Sequence, residues 1–488
     1  MLVKQVGLFL GIGLPVMILM FVDIGDSPQT SAMAAVATMM SIFWVTEAIP
    51  LAATALLPLA MYPLLGIASS KDVASQYMNS IVFLLIGGFL IALAMQRWHL
   101  HKRIALTVLA LFGTRPSMLL LGFILVTASL SMWISNTATT LVMLPIALAI
   151  LARYESLLPD YLARRFSTGL LLSIAYSASI GGMMTLVGTA PNLVFARFYE
   201  MSEGVSIGFA QWMLFSVPVG TLQLLVLICV MCGFYLRKIP NPEGLKDLIR
   251  EEKALLGPMS FEEKQVLLVF VTTACLWITR KGIDIGIFSF QGWSERIIFG
   301  NMIDDGGVAI TMALILFILP SRSKNGVRSR LLDEQVFTQL PWPVVVLFGG
   351  GFALAYGFSS SGLSTHLAAQ LQGLQAASLP VIITTVTVGM TLLTELTSNT
   401  ATTQLVLPIL QSAASVIDVP AIMLMLPATL AASCAYMLPV ATPPNAIIFG
   451  SGKIRVIDMV KIGALFNLAA IAIISLLSYV LIPMVFHV

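Results

Sequence analysis

Two copies of one polar sequence interrupt apolar segments of this 488-residue chain, Ser-Asn-Thr-Ala-Thr-Thr at residues 135–140 and again at residues 398–403. A related motif follows each copy, Gly-Thr-Ala-Pro-Asn at 188–192 and Ala-Thr-Pro-Pro-Asn at 441–445. These breaks offer hydroxyls, amides and backbone carbonyl oxygens freed from helices, and such neutral oxygens suit a hard alkali cation such as Na⁺. The candidate binding residues are Ser131, Ser135, Asn136, Thr137, Gly188, Thr189, Asn192, Thr394, Ser398, Asn399, Thr400, Ala441, Thr442 and Asn445.

The residue types that these motifs lack narrow the chemistry further. They contain no Cys or His, which argues against a transition-metal site. They contain no Lys or Arg either, so an anionic substrate would be held by Asn and Thr donors, backbone N–H groups and helix N-termini, whose dipoles favour negative charge. Bound Na⁺ would supply the remaining positive charge. Two equivalent donor clusters suit a substrate with two anionic ends, which favours a dicarboxylate over a monocarboxylate.

Glu395 and Glu47 are acidic side chains within apolar segments, and intramembrane acids are functional candidates by default. Glu395 lies just before the second polar motif and has no acidic equivalent at Met132 in the first copy. A structural role and a coupling role both remain open for Glu395. Glu47 is expected near the cytoplasmic end of its span, where it would act as an anchor.

The composition indicates that these motifs belong to a membrane protein. The chain is 58% apolar and only 10% charged, and its mean hydropathy is +0.95. Average soluble domains contain roughly 25% charged residues, so the composition excludes a disordered chain, a nucleic-acid-binding protein and an ordinary soluble enzyme. A membrane enzyme is the least supported class, because no nucleophile–base pair or metal-ligand cluster lies in the apolar segments. The predicted fold class is an all-α polytopic membrane protein.

Apolar runs predict the elements that must position the motifs. Four runs are too long for one simple crossing. The runs 116–151 and 378–412 have polar centres and are predicted to be re-entrant helical hairpins, whereas 166–195 and 420–450 are predicted to be broken helices. Counting each broken helix once and neither hairpin gives eleven crossings. The other nine predicted spans are 5–22, 31–49, 51–67, 80–97, 208–236, 265–283, 299–319, 342–358 and 457–485.

The distribution of basic residues orients these spans, since cytoplasmic loops carry an excess of Lys and Arg. With a cytoplasmic N-terminus and an external C-terminus, all but five of the 26 lysines and arginines lie on the cytoplasmic side. If either hairpin were a full crossing, later loops would invert and this separation would worsen. The predicted location is a bacterial inner (plasma) membrane. The five external basic residues are Lys71, Arg197, Arg280, Lys281 and Arg296.

The motifs belong to an internal repeat. An offset of 263 residues relates the two Ser-Asn-Thr motifs, and an offset of 253 residues relates the two motifs that end in Pro-Asn. Each repeat contains five crossings, so the second copy must be inverted, an arrangement typical of secondary transporters with a site near the midplane. The hairpin tips would then meet in the middle of the membrane. The predicted divisions are a first helix and external turn at 1–30, repeat 1 at 31–236, a cytoplasmic connector at 237–264 and repeat 2 at 265–488.

Four motifs together resemble the divalent anion/sodium symporter family, and the resemblance covers nearly the whole chain. They are Trp-Val-Thr-Glu-Ala-Ile-Pro at 44–50, the two Ser-Asn-Thr-Ala-Thr-Thr tips, Leu-Val-Gly-Thr-Ala-Pro-Asn at 186–192 and Val-Ala-Thr-Pro-Pro-Asn at 440–445. The resemblance implies a homodimer embedded in lipid, in which each protomer has a scaffold domain and a transport domain that moves as an elevator. At Ala190 the family usually has proline, which leaves the pocket shape and the substrate size open.

The resemblance also implies roles for individual residues. One sodium site would use Ser131, Ser135, Asn136 and Gly188. A second sodium site would use Thr394, Ser398, Asn399 and Ala441. The substrate would contact Asn136, Thr137, Thr189, Asn399, Thr400, Thr442 and Pro443.

The leading functional prediction is sodium-coupled symport of a C4-dicarboxylate such as succinate, malate or fumarate. An anion exchanger of the same fold remains an alternative, with dicarboxylate, tricarboxylate such as citrate, or sulfate as its substrate. An ion channel is less well supported, because both hairpins end midway through the membrane, which fits alternating access. The preferred anion and the sodium stoichiometry stay open.

Overall fold

The computed structural model describes residues 2–25, 27–113, 115–236, 239–240, 251–284, 289–322, 329–370 and 378–488. Its α-helices are numbered here in chain order. They are α1 Leu2–Phe21, α2 Pro28–Thr46, α3 Leu51–Thr54, α4 Leu57–Leu64, α5 Ser70–Tyr77, α6 Ser80–Arg97, α7 Leu100–Leu109, α8 Pro116–Ser131, α9 Asn136–Leu157, α10 Asp160–Met183, α11 Ala190–Glu203, α12 Phe209–Tyr235, α13 Phe261–Thr279, α14 Asp305–Ile318, α15 Val336–Gln339, α16 Trp342–Ser360, α17 Leu363–Gln370, α18 Leu379–Leu396, α19 Asn399–Val416, α20 Ile422–Ala432, α21 Pro443–Phe449 and α22 Val456–Phe486.

Extended structure in the described ranges is confined to two short antiparallel strand pairs. Strands β1 (Ile283–Asp284) and β2 (Ser289–Phe290) pair with Ile283 opposite Phe290. Strands β3 (Pro320–Ser321) and β4 (Ser329–Arg330) pair with Pro320 opposite Arg330. Short 3-10 helices follow β2 at Trp293–Arg296 and Gly300–Met302.

Among the described residues, eight helices are long and apolar enough to cross a membrane, which identifies a polytopic membrane protein. Four shorter apolar helical segments accompany them: Leu51–Leu64, which comprises α3 and α4, and Pro116–Ser131, Asp305–Ile318 and Ile422–Ala432. The eight long ones are Val3–Phe21, Ser70–Arg97 (α5 and α6 taken together), Asn136–Leu157, Asp160–Met183, Phe209–Tyr235, Trp342–Ser360, Leu379–Leu396 and Val456–Phe486.

One predicted span differs from the structure. The segment 51–67 was expected to form a single helix, but it forms the separate short helices α3 and α4. Pro58 lies at the start of α4 and lacks the backbone N–H that would bond to a carbonyl one turn earlier in α3. The chain therefore ends one helix and begins another within the predicted span.

The four long apolar runs each consist of two helices. The run 116–151 contains α8 and the first part of α9, and the run 378–412 contains α18 and the first part of α19. The run 166–195 is interrupted between α10 and α11, where Pro191 lies in the first turn of the new helix. The run 420–450 is interrupted between α20 and α21, where Pro443 and Pro444 open the new helix. Proline fits these positions because a helix's first N–H groups have no intrahelical partner.

Helix α10 passes through the centre of the fold, and every residue from Phe166 to Met183 is buried. Glycine makes part of this packing possible, because a Cβ on Gly181 would lie 2.2 Å from the carbonyl oxygen of Ala128 on α8. A smaller core between α2, α4, α5 and α16 contains Trp44, Tyr62 and Leu354. Residues of the four helix breaks and residues of this smaller core line the same cavity.

Candidate functional site

A cavity of about 650 Å³ lies where the four helix breaks meet. The other residues that line it come mainly from the end of α2, from α6 and from α16, and include Trp44, Phe89 and Leu347. Of the thirteen residues to which the sequence assigned sodium or substrate, eleven line this cavity. They are Ser135, Asn136, Thr137, Gly188, Thr189, Ser398, Asn399, Thr400, Ala441, Thr442 and Pro443.

The remaining two assigned residues, Ser131 and Thr394, are fully buried next to the breaks that precede α9 and α19. The Ser131 hydroxyl donates to Asn136 Oδ1 over 2.6 Å, and the Thr394 hydroxyl lies at the same distance from Asn399 Oδ1. The Thr394 hydroxyl is also 2.6 Å from the carbonyl oxygen of Ala432. The first repeat thus brings a hydroxyl and an amide oxygen together, and the second adds a carbonyl oxygen, which is chemistry suited to an alkali cation.

Four helices begin at the cavity, each with a candidate residue at its N-cap. Ser135 precedes α9, Thr189 precedes α11, Ser398 precedes α19 and Thr442 precedes the short helix α21. Because the N-terminus of a helix carries a partial positive charge and free N–H groups, α9, α11 and α19 together make this cavity favourable for an anion.

Several hydroxyl groups at the cavity remain available for a ligand. In the parts of the chain that the structure describes, the side chains of Thr137, Thr189 and Thr400 make no hydrogen bond. By contrast, the Thr442 hydroxyl accepts a hydrogen bond from the backbone N–H of Asn445 over 3.3 Å. Thr189 and Thr442 therefore differ in the hydrogen bonds that their hydroxyls accept, although they occupy equivalent positions in the two repeats.

Glu47 is the one charged side chain among the described residues that line the cavity. It follows α2 in a left-handed conformation with φ of 47° and is exposed to the cavity. Glu47 thus lies at the end of its helix, where an anchor was expected, and the turn after α2 also brings it to the lining of the cavity. Its membership of the Trp-Val-Thr-Glu-Ala-Ile-Pro motif was the sequence signal that could have indicated this position.

Glu395 lies behind the cavity and holds the break between α20 and α21. One carboxylate oxygen, Oε1, accepts hydrogen bonds from the backbone N–H groups of Tyr436 (2.8 Å) and Met437 (2.9 Å) and from Asn467 Nδ2 (2.7 Å). The other, Oε2, accepts from the N–H of Leu438 over 3.2 Å. These bonds satisfy backbone donors that a broken helix leaves without partners, which supports a structural role for Glu395.

The first repeat holds its break by a different contact. The Thr185 hydroxyl donates to the carbonyl oxygen of Met132, the residue equivalent to Glu395, and accepts a hydrogen bond from the N–H of Gly188 over 3.1 Å. Hydroxyl and backbone groups thus replace the carboxylate of the second repeat. This difference was not predictable from the motifs, because Thr185 lies outside them.

Within the described ranges, no cluster of three or more His, Cys, Asp or Glu side chains could hold a metal ion. The oxygens at the tips are neutral hydroxyls, amides and carbonyls. This donor set fits Na⁺ as a transported ion.

Solved structures with a similar fold are membrane transporters. The YdaH transporter of Alcanivorax borkumensis is 12% identical, with a TM-score of 0.55 over 93% of this chain and 98% of that chain. MtrF of Neisseria gonorrhoeae is also 12% identical, with a TM-score of 0.56 over 98% of both chains. At this identity the similarity concerns the fold alone, which is that of a polytopic membrane transporter.

Sequence comparison gives the family. Residues 3–488 match the family described as sodium:sulfate symporter transmembrane region, and the chain belongs to this family. The sodium-dependent dicarboxylate transporter SdcS of Staphylococcus saprophyticus is 41% identical over 487 residues, which are 98% of this chain and 92% of that relative. SdcS of Staphylococcus aureus is 40% identical over 493 residues, covering 99% and 92%. The family resemblance inferred from the motifs is confirmed, as is the prediction of a transport protein rather than an enzyme.

Proposed function

We propose that this protein is a sodium-coupled symporter of C4-dicarboxylates such as succinate, malate or fumarate. The observation that carries the proposal is the meeting of four polar helix breaks at one cavity whose described lining residues include no lysine or arginine. A dianion in such a cavity needs positive compensation, which helix N-termini supply only in part. Alkali cations at the tips supply the rest, so that binding of the anion and of sodium is thermodynamically coupled.

The proposed sodium sites use equivalent groups of the two repeats. The first consists of Ser131, Ser135, Asn136 and Gly188, and the second of Thr394, Ser398, Asn399 and Ala441. The matched 2.6 Å contacts of Ser131 with Asn136 and of Thr394 with Asn399 support equivalent ion sites.

The proposed substrate site lies between the two sodium sites. The free hydroxyls of Thr137, Thr189 and Thr400 support their assignment as donors to the carboxylates, together with the amides of Asn136 and Asn399. Thr442 and Pro443 complete the substrate site at the start of α21.

The proposed topology has eleven crossings and two re-entrant hairpins, with the N-terminus in the cytoplasm and the C-terminus outside, in the inner (plasma) membrane. The proposed divisions are a first segment at 1–30, repeat 1 at 31–236, a connector at 237–264 and repeat 2 at 265–488. Within the connector, residues 237–238 and 241–250 lie outside the described residues. The helices that carry the tips and breaks would move as a unit against α2, α6 and α16 in each protomer of a homodimer. The cavity supports this proposed movement, because its lining residues come both from the helices with the tips and breaks and from α2, α6 and α16.

Uptake of labelled succinate into proteoliposomes tests the function. We expect an inward sodium gradient to drive saturable accumulation, while an equal potassium gradient does not. Accumulation that needs internal dicarboxylate and ignores sodium would identify an exchanger, and flux that does not saturate would identify a channel. Competition by malate, fumarate, citrate and sulfate in the same assay would define the preferred anion.

A further inference from the structure

Two buried asparagines behind the cavity, Asn192 and Asn445, have no role in the proposed sodium or substrate sites. We propose that they are positioning residues, which hold the two helix breaks in the shape that presents the Gly188 and Ala441 carbonyl oxygens to sodium. They would thereby set the affinity and selectivity for the coupled cation. The inference rests on the proposed function, since it assumes that these carbonyls bind the ion.

In the first repeat, the Asn192 side chain spans the break between α10 and α11. Its Nδ2 atom donates to the carbonyl oxygen of Thr185 over 2.6 Å and to that of Gly182 over 3.1 Å. The carbonyl oxygen of Met183 lies at 3.4 Å. Asn192 is fully buried, so these carbonyls receive their hydrogen bonds from the amide and not from water.

In the second repeat, Asn445 makes the equivalent contacts across the break between α20 and α21. Its Nδ2 atom donates to the carbonyl oxygens of Ala435 and Leu438, both over 3.0 Å. The 253-residue offset relates Asn192 to Asn445, and it also relates Gly182 to Ala435 and Thr185 to Leu438. The acceptor residues differ in type between the repeats, whereas the donor side chain and the acceptor positions are the same. The geometry, and not a shared acceptor sequence, is therefore the common feature.

These bonds lead directly to the proposed ion ligands. A Cβ on Gly188 would lie 2.4 Å from the carbonyl oxygen of Gly182, and a Cβ on Gly182 would lie 2.3 Å from Asn136 Oδ1. Gly182 thus contacts both Gly188 and the amide of the hairpin tip, and Asn192 fixes its carbonyl. In the second repeat, the N–H of Ala441 donates to the Leu438 carbonyl oxygen over 3.3 Å, the same oxygen that Asn445 holds.

The amide oxygens add an electrostatic argument. Asn192 Oδ1 and Asn445 Oδ1 are both buried and have no hydrogen-bond partner in the described structure. Each amide therefore directs its positive end at the break and leaves its negative end unpaired in a medium of low dielectric constant. An unpaired buried acceptor is a cost to the folded state, which the hydrogen bonds that the same amide donates to the break must offset.

Sodium titrations of substituted proteins test the inference. Leucine has nearly the shape of asparagine but cannot donate, whereas serine keeps one donor, so N192L and N445L are the severe variants and N192S and N445S the mild ones. The unfolding temperature of purified protein is measured against sodium concentration without substrate, because an ion that binds the native state raises it. Uptake of succinate then gives the sodium concentration for half-maximal rate, the lithium-to-sodium rate ratio and the KM for succinate at saturating sodium.

We expect the half-maximal sodium concentration to rise at least tenfold in the leucine variants and several-fold in the serine variants, with a changed lithium-to-sodium ratio. The KM for succinate at saturating sodium should stay within about threefold of the original value. The control is Q404L, because the Gln404 amide is also buried, donates to one carbonyl over 3.0 Å and has an unpaired oxygen, but lies outside the breaks. Its sodium titration should match that of the unsubstituted protein.

Serine variants with lower unfolding temperatures but unchanged sodium midpoints and lithium-to-sodium ratios would overturn the inference, because the asparagines would then be structural only. If the leucine variants do not fold, the serine variants decide. If the unsubstituted protein itself shows no response to sodium, the proposed function fails and the inference fails with it. The two failures are therefore distinguishable.

Discussion

Asn136 and Asn399 begin α9 and α19, and each amide oxygen lies 2.6 Å from a hydroxyl of the preceding helix. These hydrogen bonds orient the amide at the point where the proposed ion and anion sites adjoin. One side chain can thus contribute its oxygen to sodium and its N–H group to a carboxylate. Removing it should affect both ligands.

We therefore expect Asn136→Ala or Asn399→Ala to reduce succinate uptake about 10- to 100-fold or more, since hydrogen bonds to charged groups contribute about 1.5–3 kcal/mol each. Both proteins should remain folded, as judged by size-exclusion profile and unfolding temperature. Asn301→Ala, in an exposed position away from the cavity, is the control. Near-normal uptake by both tip variants would contradict the site assignment.

Thr189 and Thr442 occupy equivalent positions but differ in their hydrogen bonds, since only Thr442 caps its helix through the side chain. We expect Thr189→Val to raise the KM for succinate about tenfold without changing the unfolding temperature. Thr442→Val should also destabilise the protein by about 1 kcal/mol, which is typical for the loss of an N-cap. Uptake kinetics and thermal unfolding measured together would separate the two effects, and equal stability losses would contradict the asymmetry.

Among the elements, the break between α20 and α21 depends on close packing against α22. A Cβ on Gly463 would lie 2.3 Å from the carbonyl oxygen of Tyr436, within the segment whose N–H groups bond to Glu395. The backbone of the break must therefore shift if the side chain grows. This contact connects a position on α22 to the geometry of the cavity.

Gly463→Ala should accordingly destabilise the protein by about 1–3 kcal/mol, as overpacking does, and should lower uptake by displacing Ala441 and Thr442. The matched control is Gly389→Ala on α18, where a Cβ would meet no atom within 4 Å. Gly389→Ala should leave the free energy of unfolding unchanged or raise it by up to about 1 kcal/mol, because alanine is more favourable than glycine in the interior of a helix. Thermal unfolding and uptake of both variants provide the measurement, and an equal response would contradict the packing argument.

The helices and breaks differ in how accurately they could be predicted from the sequence. The helix at 80–97 was predicted with its observed bounds from its apolar run, and in the structure Asn79 caps its start. The four breaks were predictable because a polar motif marks each one, and proline accompanies the motif at the breaks before α11 and α21. The splitting of 51–67 was missed, since the apolar pattern outweighed the proline signal. The contacts of Thr185 with Met132 and of Glu395 with Tyr436 and Asn467 could not be predicted, because they join segments distant in sequence whose approach depends on tertiary packing.

At the scale of the whole molecule, two groups of helices line the cavity. One group carries the tips and breaks, and the other consists mainly of α2, α6 and α16. The proposed topology puts the start of α5 outside the cell and the end of α9 inside. Two exposed residues report on these ends, Lys71 on α5 and Ser156 on α9.

Single cysteines at these residues test the topology in a protein whose native Cys229, Cys232, Cys275 and Cys434 have been replaced. We expect a membrane-impermeant thiol reagent to label Lys71→Cys in intact cells and Ser156→Cys only after permeabilisation. Labelling of the two positions from the same side would contradict the proposed number of crossings between them. The cysteine-free protein without either substitution is the labelling control.

The whole account depends on a dianion site whose described lining contains no basic side chain and which therefore needs sodium. Equilibrium binding of labelled succinate to the purified protein, at increasing sodium and constant ionic strength, measures this dependence directly. We predict little binding in potassium alone and an affinity for succinate that rises steeply with sodium concentration. An affinity for succinate that is the same with and without sodium would contradict the account.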